Sequence, residues 1–184
     1  MIGLRRQIHV FLILGFLLAL TLVALPASAE GSARTIRLSH GWISALGDWH
    51  VGASGTQAAS YRALGDPDWS YSYDGDRVSK ARWDWLGLTL QYECFCADGP
   101  MLTQTAAIRG HAGRVNWRTS RGLRVGDSVA RLRRLYPHAV RKGTSYTLAQ
   151  LYNTYGSGPL PVLTARTSHR RVSSLILWIG KGGD

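Results

Sequence analysis

Leu123-Arg124-Val125-Gly126 and, 74 residues earlier at its Val, Trp49-His50-Val51-Gly52 each carry an apolar-x-Val-Gly turn into a short helical pattern. The first pattern ends at Arg62-Ala63-Leu64-Gly65 and the second at Arg133-Arg134-Leu135-Tyr136; Leu64 and Leu135 are 71 apart, so the first copy holds three extra residues around Ala53-Ser54-Gly55. A supersecondary unit used twice is the economical reading of two such matches. In the second copy Asp127 or Ser128 is placed to cap a helix whose apolar stripe is Val129, Leu132, Leu135 and Tyr136, with Pro137 stopping it. In the first, Thr56 is the cap, Ala58, Tyr61 and Leu64 are the stripe, and Gly65 with Asp66-Pro67 closes it. Helices of two to three turns are marginal alone, so each needs a packed partner.

The sequence following each helix has the period of strands. Trp69-Ser70-Tyr71-Ser72-Tyr73 alternates with period two, Asp74-Gly75 is a hairpin turn, and Val78 to Trp85 follows. Leu86, Leu88, Leu90, Tyr92, Cys94 and Cys96 alternate with Gly87, Thr89, Gln91 and Glu93, as in a half-buried strand. In the second copy Ser145 to Tyr152, Pro161 to Thr167 and Val172 to Ile179 read as strands, the last two joined by a polar turn through Ser168-His169-Arg170. The predicted fold is α+β: two tandem helix-plus-antiparallel-meander repeats, 47–110 and 111–184, forming one sheet with the short helices packed on one face. An N-terminal segment, 30–46, precedes them, and 30–184 is read as a single compact domain.

At the amino terminus, Arg5 and Arg6 precede an uncharged run of 16 residues from Val10 to Leu25, then Pro26 and Ala27-Ser28-Ala29. That order predicts a signal peptide over residues 1–29, cleaved after Ala29. The alternative is an uncleaved N-terminal anchor, but the run is short against the ~20 residues that span a bilayer. The protein is therefore expected to be secreted or held in the cell envelope.

Charge is uneven. From Glu30 to Ala107 there are nine acids and six bases, and from Ile108 to Asp184 two acids and fourteen bases. The basic half suggests an anionic partner, either a wall polymer or a membrane surface, met by Arg121, Arg124, Arg131, Arg133, Arg134, Arg141 and Lys142. The competing explanation is genome composition, since 19 of the 22 bases are Arg. Nucleic acid ranks last among the partners, because no recognition motif accompanies the basic half.

The Val-Gly-x-Ser helix start at Val125 to Ser128, the Leu-Arg-x-Leu-Tyr helix end at Leu132 to Tyr136 and the meander behind them, used twice after a signal sequence, resemble the β-lactamase inhibitor protein fold. The same unit used once is similar to the small lipoprotein subunit of the outer-membrane β-barrel assembly machine. The segment Trp117 to Ser128 also resembles secreted actinobacterial proteins of unassigned function. The inhibitor resemblance implies a protein-binding role through an aromatic, concave sheet face. Two features depart from these families: no Cys stands at the cleavage site, where Glu30 follows Ala29, and the only two Cys lie two positions apart.

Cys94 and Cys96 on one strand face would have Cα atoms about 6.5–7 Å apart, at the upper limit for a disulfide. A strained local disulfide, paired core thiols and a metal or redox site are the readings open to them. Catalytic signatures are missing: Gly41-Trp42-Ile43-Ser44-Ala45 lacks the last Gly of a nucleophile elbow, and the His residues are scattered singly. Asp74-Gly75-Asp76 lacks the rest of a calcium loop. No cofactor fingerprint is present, and the chain is read as a binding protein, not an enzyme. Seven Trp and eight Tyr against three Phe favour a recognition face. Trp83 and Trp85, turned outward by a bulge at Leu86-Gly87, and Tyr152, Tyr155 and Trp178 in the second copy are its candidates for gripping an extracellular or envelope protein.

Overall fold

Thr56 and Ser128 act as the sequence predicts: each hydroxyl accepts a hydrogen bond, 3.2 Å long, from the backbone N–H three residues on, at Ala59 and Arg131. They start helices α1 (Gln57–Leu64) and α2 (Val129–Leu135) in a computed structural model of the chain. The structure describes residues 34–40, 42–51, 55–75, 77–94, 99–110, 115–152 and 158–179. The chain divides into two units, Met1–Glu30 and Gly31–Asp184; all described residues belong to the second, and the predicted signal peptide lies outside them. Among the described residues no helix is long and apolar enough to cross a membrane.

Strands dominate. After α1 come β4 (Trp69–Tyr73), β5 (Val78–Trp83), β6 (Leu88–Glu93) and β7 (Leu102–Arg109); after α2 come β9 (Val140–Lys142), β10 (Ser145–Tyr152), β11 (Pro159–Ser168) and β12 (Arg171–Trp178). These eight form one antiparallel sheet in the order β4-β5-β6-β7-β12-β11-β10-β9. Strands β7 and β12 meet at its centre, with Ile108 opposite Leu175 and Ala106 opposite Leu177. One phase of the sheet is buried: Ala81, Trp83, Leu88, Leu90, Tyr92, Ala106, Ile108, Ala165, Leu175 and Leu177. Both helices touch this phase. Tyr61 meets Trp83 edge-on, Gln57 Nε2 donates to Ser79, and Leu132 enters the same core while Arg133 reaches Tyr146. Each buried Leu is worth roughly 1.5–3 kcal/mol against an exposed one, and a cap only about 1 kcal/mol. Packing therefore holds helices too short to stand alone.

The prediction of a single sheet needs correction. Strands β1 (Thr35–Ser39), β2 (Trp42–Leu46), β3 (Trp49–His50) and β8 (Arg118–Thr119) form a second sheet in the order β3-β2-β1-β8. Its β1–β8 pairing is parallel, with Thr35 opposite Arg118. The reason is apolar: Ile36, Ile43, Leu46 and Trp49 each have to be covered, and all four are buried in the common core. Trp117, just before β8, donates its indole N–H to Leu86 O at 2.6 Å and so ties this sheet to the turn after β5.

One buried polar pair lies between α1 and the large sheet. Ser60 Oγ donates to Gln57 O at 2.7 Å and lies 2.7 Å from Tyr92 Oη. A hydroxyl has one proton, so the Tyr92 O–H is the donor in the second bond. Ser60→Ala should cost about 1–3 kcal/mol, because Tyr92 Oη, buried completely, loses its acceptor. Urea unfolding measures this, and adding Tyr92→Phe to Ser60→Ala should recover part of the loss; a fully additive pair would refute the coupling.

Candidate binding surface

The hairpin register decides which aromatics are free. Trp69, Tyr71 and Tyr73 on β4 stand opposite Arg82, Lys80 and Val78, while Ser70 and Ser72 stand opposite Ala81 and Ser79. Ala81 and Ser79 belong to the buried phase, so the three aromatics take the other one. Trp69 and Tyr71 keep 43% and 54% of their surface open to solvent, and Tyr73 is half-buried. Their rings stack in sequence, Trp69 to Tyr71 at 6.0 Å and Tyr71 to Tyr73 at 5.7 Å between centroids, each pair 19° from parallel. Arg82 lies 5.7 Å from the Trp69 ring and Lys80 lies 5.5 Å from the Tyr73 ring, within cation–π range. Arg82 is further held by Asp84 through a 2.9 Å ion pair.

This ladder ends a mixed face, since the same phase continues through Gln91 and Thr105 to the half-buried Trp178. It also stands on an edge strand, as β4 is the terminal member of its sheet. Soluble proteins usually blunt such edges with Pro, Lys or a bulge. β4 contains neither residue and pairs with β5 in continuous register.

The predicted platform is only partly there. Trp83 is completely buried and donates its indole N–H to Gly65 O at 2.9 Å, so it is a core residue and not a surface one. Trp83 pairs with Leu88 across the turn Asp84–Gly87, which reverses the chain; no bulge turns the two Trp outward together. Trp85 sits in that turn, 43% exposed, with the Arg34 guanidinium 5.4 Å from its ring. Trp178 is half-buried and covered by Trp42, ring centroids 5.5 Å apart. Tyr152 ends β10 but its side chain, like all of Tyr155, lies outside the described residues. So does Cys96; Cys94 is half-buried after β6, with its Sγ 3.1 Å from Gly99 O.

The basic set is dispersed. Arg124 is half-buried, its Nε enclosed without a hydrogen-bond partner among the described residues, so it is not an open contact. Arg131 is paired with Asp127 at 3.1 Å. Arg121 donates to Leu135 O and lies 5.1 Å from the Tyr136 ring. Arg133, Arg134, Arg141 and Lys142 are exposed; of these, Arg133 and Arg141 converge on Tyr146. No family model matches the chain, and it has no significant match among curated proteins or solved structures.

Proposed function

We propose that the protein is a non-catalytic binding module, inhibitor-like in its mode, that works outside the cytoplasm and takes a protein or extended peptide on the ladder of Trp69, Tyr71 and Tyr73. The observation that carries this reading is three stacked aromatics exposed on an unblunted edge strand. Main-chain groups of an edge offer affinity to an added strand, and the alternating rings offer selectivity. Residues 47–110 and 111–184 are two copies of one unit in this proposal. Its support is a hydroxyl-capped helix followed by four strands in each, at Thr56 and at Ser128. The export reading rests on residues 1–29.

The competing reading is an envelope-associated module held by exposed arginines to an anionic wall polymer or membrane. Salt separates the two, because exposed charge attraction fades as the screening length falls to about 3 Å at 1 M. The experiment is capture from culture fluid and envelope fractions at low and at 1 M salt, with the protein and with a Trp69→Ala/Tyr71→Ala variant. A protein retained at 1 M salt and held at least tenfold more weakly by the variant, whose thermal midpoint is unchanged, is the expected result. Equal retention by the variant would sink the ladder, and retention confined to low salt would favour the charged surface.

A further inference from the structure

A groove of about 640 Å³ lies where the start of α2, the β9–β10 hairpin and the β11–β12 turn come together. Its lining includes Arg133, Arg141, Thr144, Tyr146, His169 and Arg170, and no carboxylate. The two ion pairs among the described residues use Arg82 and Arg131, so none of the three groove arginines has an acidic partner there. Tyr146 organises the first two. Its ring is 4% exposed, Arg133 Nη2 lies 3.5 Å from its oxygen, and the Arg141 guanidinium carbon is 5.8 Å from its centroid. Arg141 is also fixed through its Nε to Gly143 O at 3.0 Å, which leaves its terminal nitrogens free to donate elsewhere.

The third arginine is held by a strained turn. His169 and Arg170 both have left-handed backbones, with φ of 49° and 59°, where a two-residue hairpin turn favours Asn-Gly. Such conformations cost of order 1–3 kcal/mol each and persist where surrounding structure imposes them. Here the surrounding contact is Arg170 O, which accepts from Val129 N at 3.0 Å and pins the turn against α2. Gathering three guanidiniums without an acid is unfavourable until an anion joins them.

We propose that this groove binds a phosphoryl group carried on a small polar ligand. Guanidinium forks match phosphate oxygens in pairs. Tyr146 Oη, which accepts from Arg133, keeps its own proton to donate, and Thr144 and Ser168 add hydroxyls at the rim. The phosphoryl group has two sources, a free phosphate ester or the headgroup of a lipid.

The full chain is titrated with glycerol 3-phosphate by calorimetry at physiological salt, and in parallel with phosphatidylcholine vesicles containing phosphatidic acid. Arg141→Gln/Arg170→Gln is the test variant. Arg62→Gln/Arg134→Gln removes the same charge elsewhere on the exposed surface. Tyr146→Phe, which keeps the ring, replaces the test variant if the latter alters the thermal midpoint. Saturable binding of the soluble ester, weakened at least tenfold by the test variant and not by the control, is the expected result. Binding to vesicles alone with that same pattern supports the groove and assigns the headgroup as the source. No binding to either probe, or equal loss in the control variant, overturns the proposal.

Discussion

Trp83→Ala should destabilise the protein by about 3–5 kcal/mol, the range for truncating a buried aromatic, and lower its thermal midpoint by roughly 6–20 °C. Three contacts are lost together. The indole has no exposed surface, it faces Tyr61 edge-on at 5.8 Å, and its N–H satisfies Gly65 O at the end of α1. Gly65 carries a φ of 80° that lets the chain leave the helix, and its N–H closes on Tyr61 O. Trp83 therefore links the end of α1 to β5 and, through its pairing with Leu88, to β6. Trp83→Phe fills most of the volume and removes the bond to the carbonyl of Gly65, an exposed residue where water can take the place of the indole, so its cost should be smaller, about 0.5–1.5 kcal/mol. Trp85→Ala, two residues on, removes an exposed ring and one cation–π contact with Arg34, worth about 0.5–1 kcal/mol at such a site. Urea midpoints of the three variants rank these effects. A Trp83→Ala midpoint no lower than that of Trp85→Ala would refute the core position.

The contrast between these two Trp residues shows where local pattern stops informing. Within one element the sequence is explicit: Thr56, Gly65, Ser128 and Pro137 bound the two helices, and Trp69 to Tyr73 alternates as a strand must. Trp83-Asp84-Trp85 alternates just as well, yet the chain reverses at Asp84, where Gly87 N reaches Asp84 O and Gly87 takes a φ of 61°. Period cannot carry through a reversal. The exposure of the Trp69 ladder was legible one step further out, in the pairing: an Asp74-Gly75 turn sets the aromatics opposite Lys80 and Arg82, and charges do not face a core. The second sheet had no such signal. Its β1–β8 pairing joins Thr35 to Arg118, 83 residues away, and depends on tertiary covering of Ile36 and Leu46.

The arginines make the same point about sites. Seven basic residues read as one patch in the sequence become several environments in space, from the enclosed Arg124 to the Asp127-bound Arg131. The groove takes two of them and adds Arg170, which the sequence presents only as part of a polar turn. The β11–β12 hairpin brings it there, because Ser168 pairs with Arg171 and leaves His169 and Arg170 as the whole turn. The sheet order also sets β4 at one edge and β9 at the other. Ladder and groove therefore stand at opposite sides of the large sheet, and a variant at one leaves the other intact.

Alkali should destabilise the protein through two buried phenols. Burial is the main cause raising the pKa of both Tyr92 and Tyr136 above the ordinary value of 10. For Tyr136, a hydrogen bond with Thr119 and the nearby Arg121 charge offset part of that rise. Below pH 10 each phenol is protonated in both folded and unfolded chains, and its contribution is fully present. Above pH 10 the unfolded chain releases protons that the folded chain keeps, so stability falls by about 1.4 kcal/mol per pH unit for each tyrosine. Tyr92 alone, acting to pH 12, removes about 3 kcal/mol, and Tyr136 adds to this up to the pH at which it ionises in the folded chain, a large part of the stability of many domains. Loss of ion pairs does not explain the effect, because Arg82 and Arg131, which form the two among the described residues, stay charged throughout. Urea midpoints between pH 9 and 12, read beside tyrosinate absorbance, follow the process. Tyr136→Phe should reduce the slope, starting from a lower stability because the hydrogen bond with buried Thr119 is gone while the ring remains under Arg121. Tyr92→Phe should reduce it as well, again from a lower stability because the bond to Ser60 is gone. Stability that stayed level from pH 10 to 12 would mean that both phenols ionise in the folded chain, and would refute their burial.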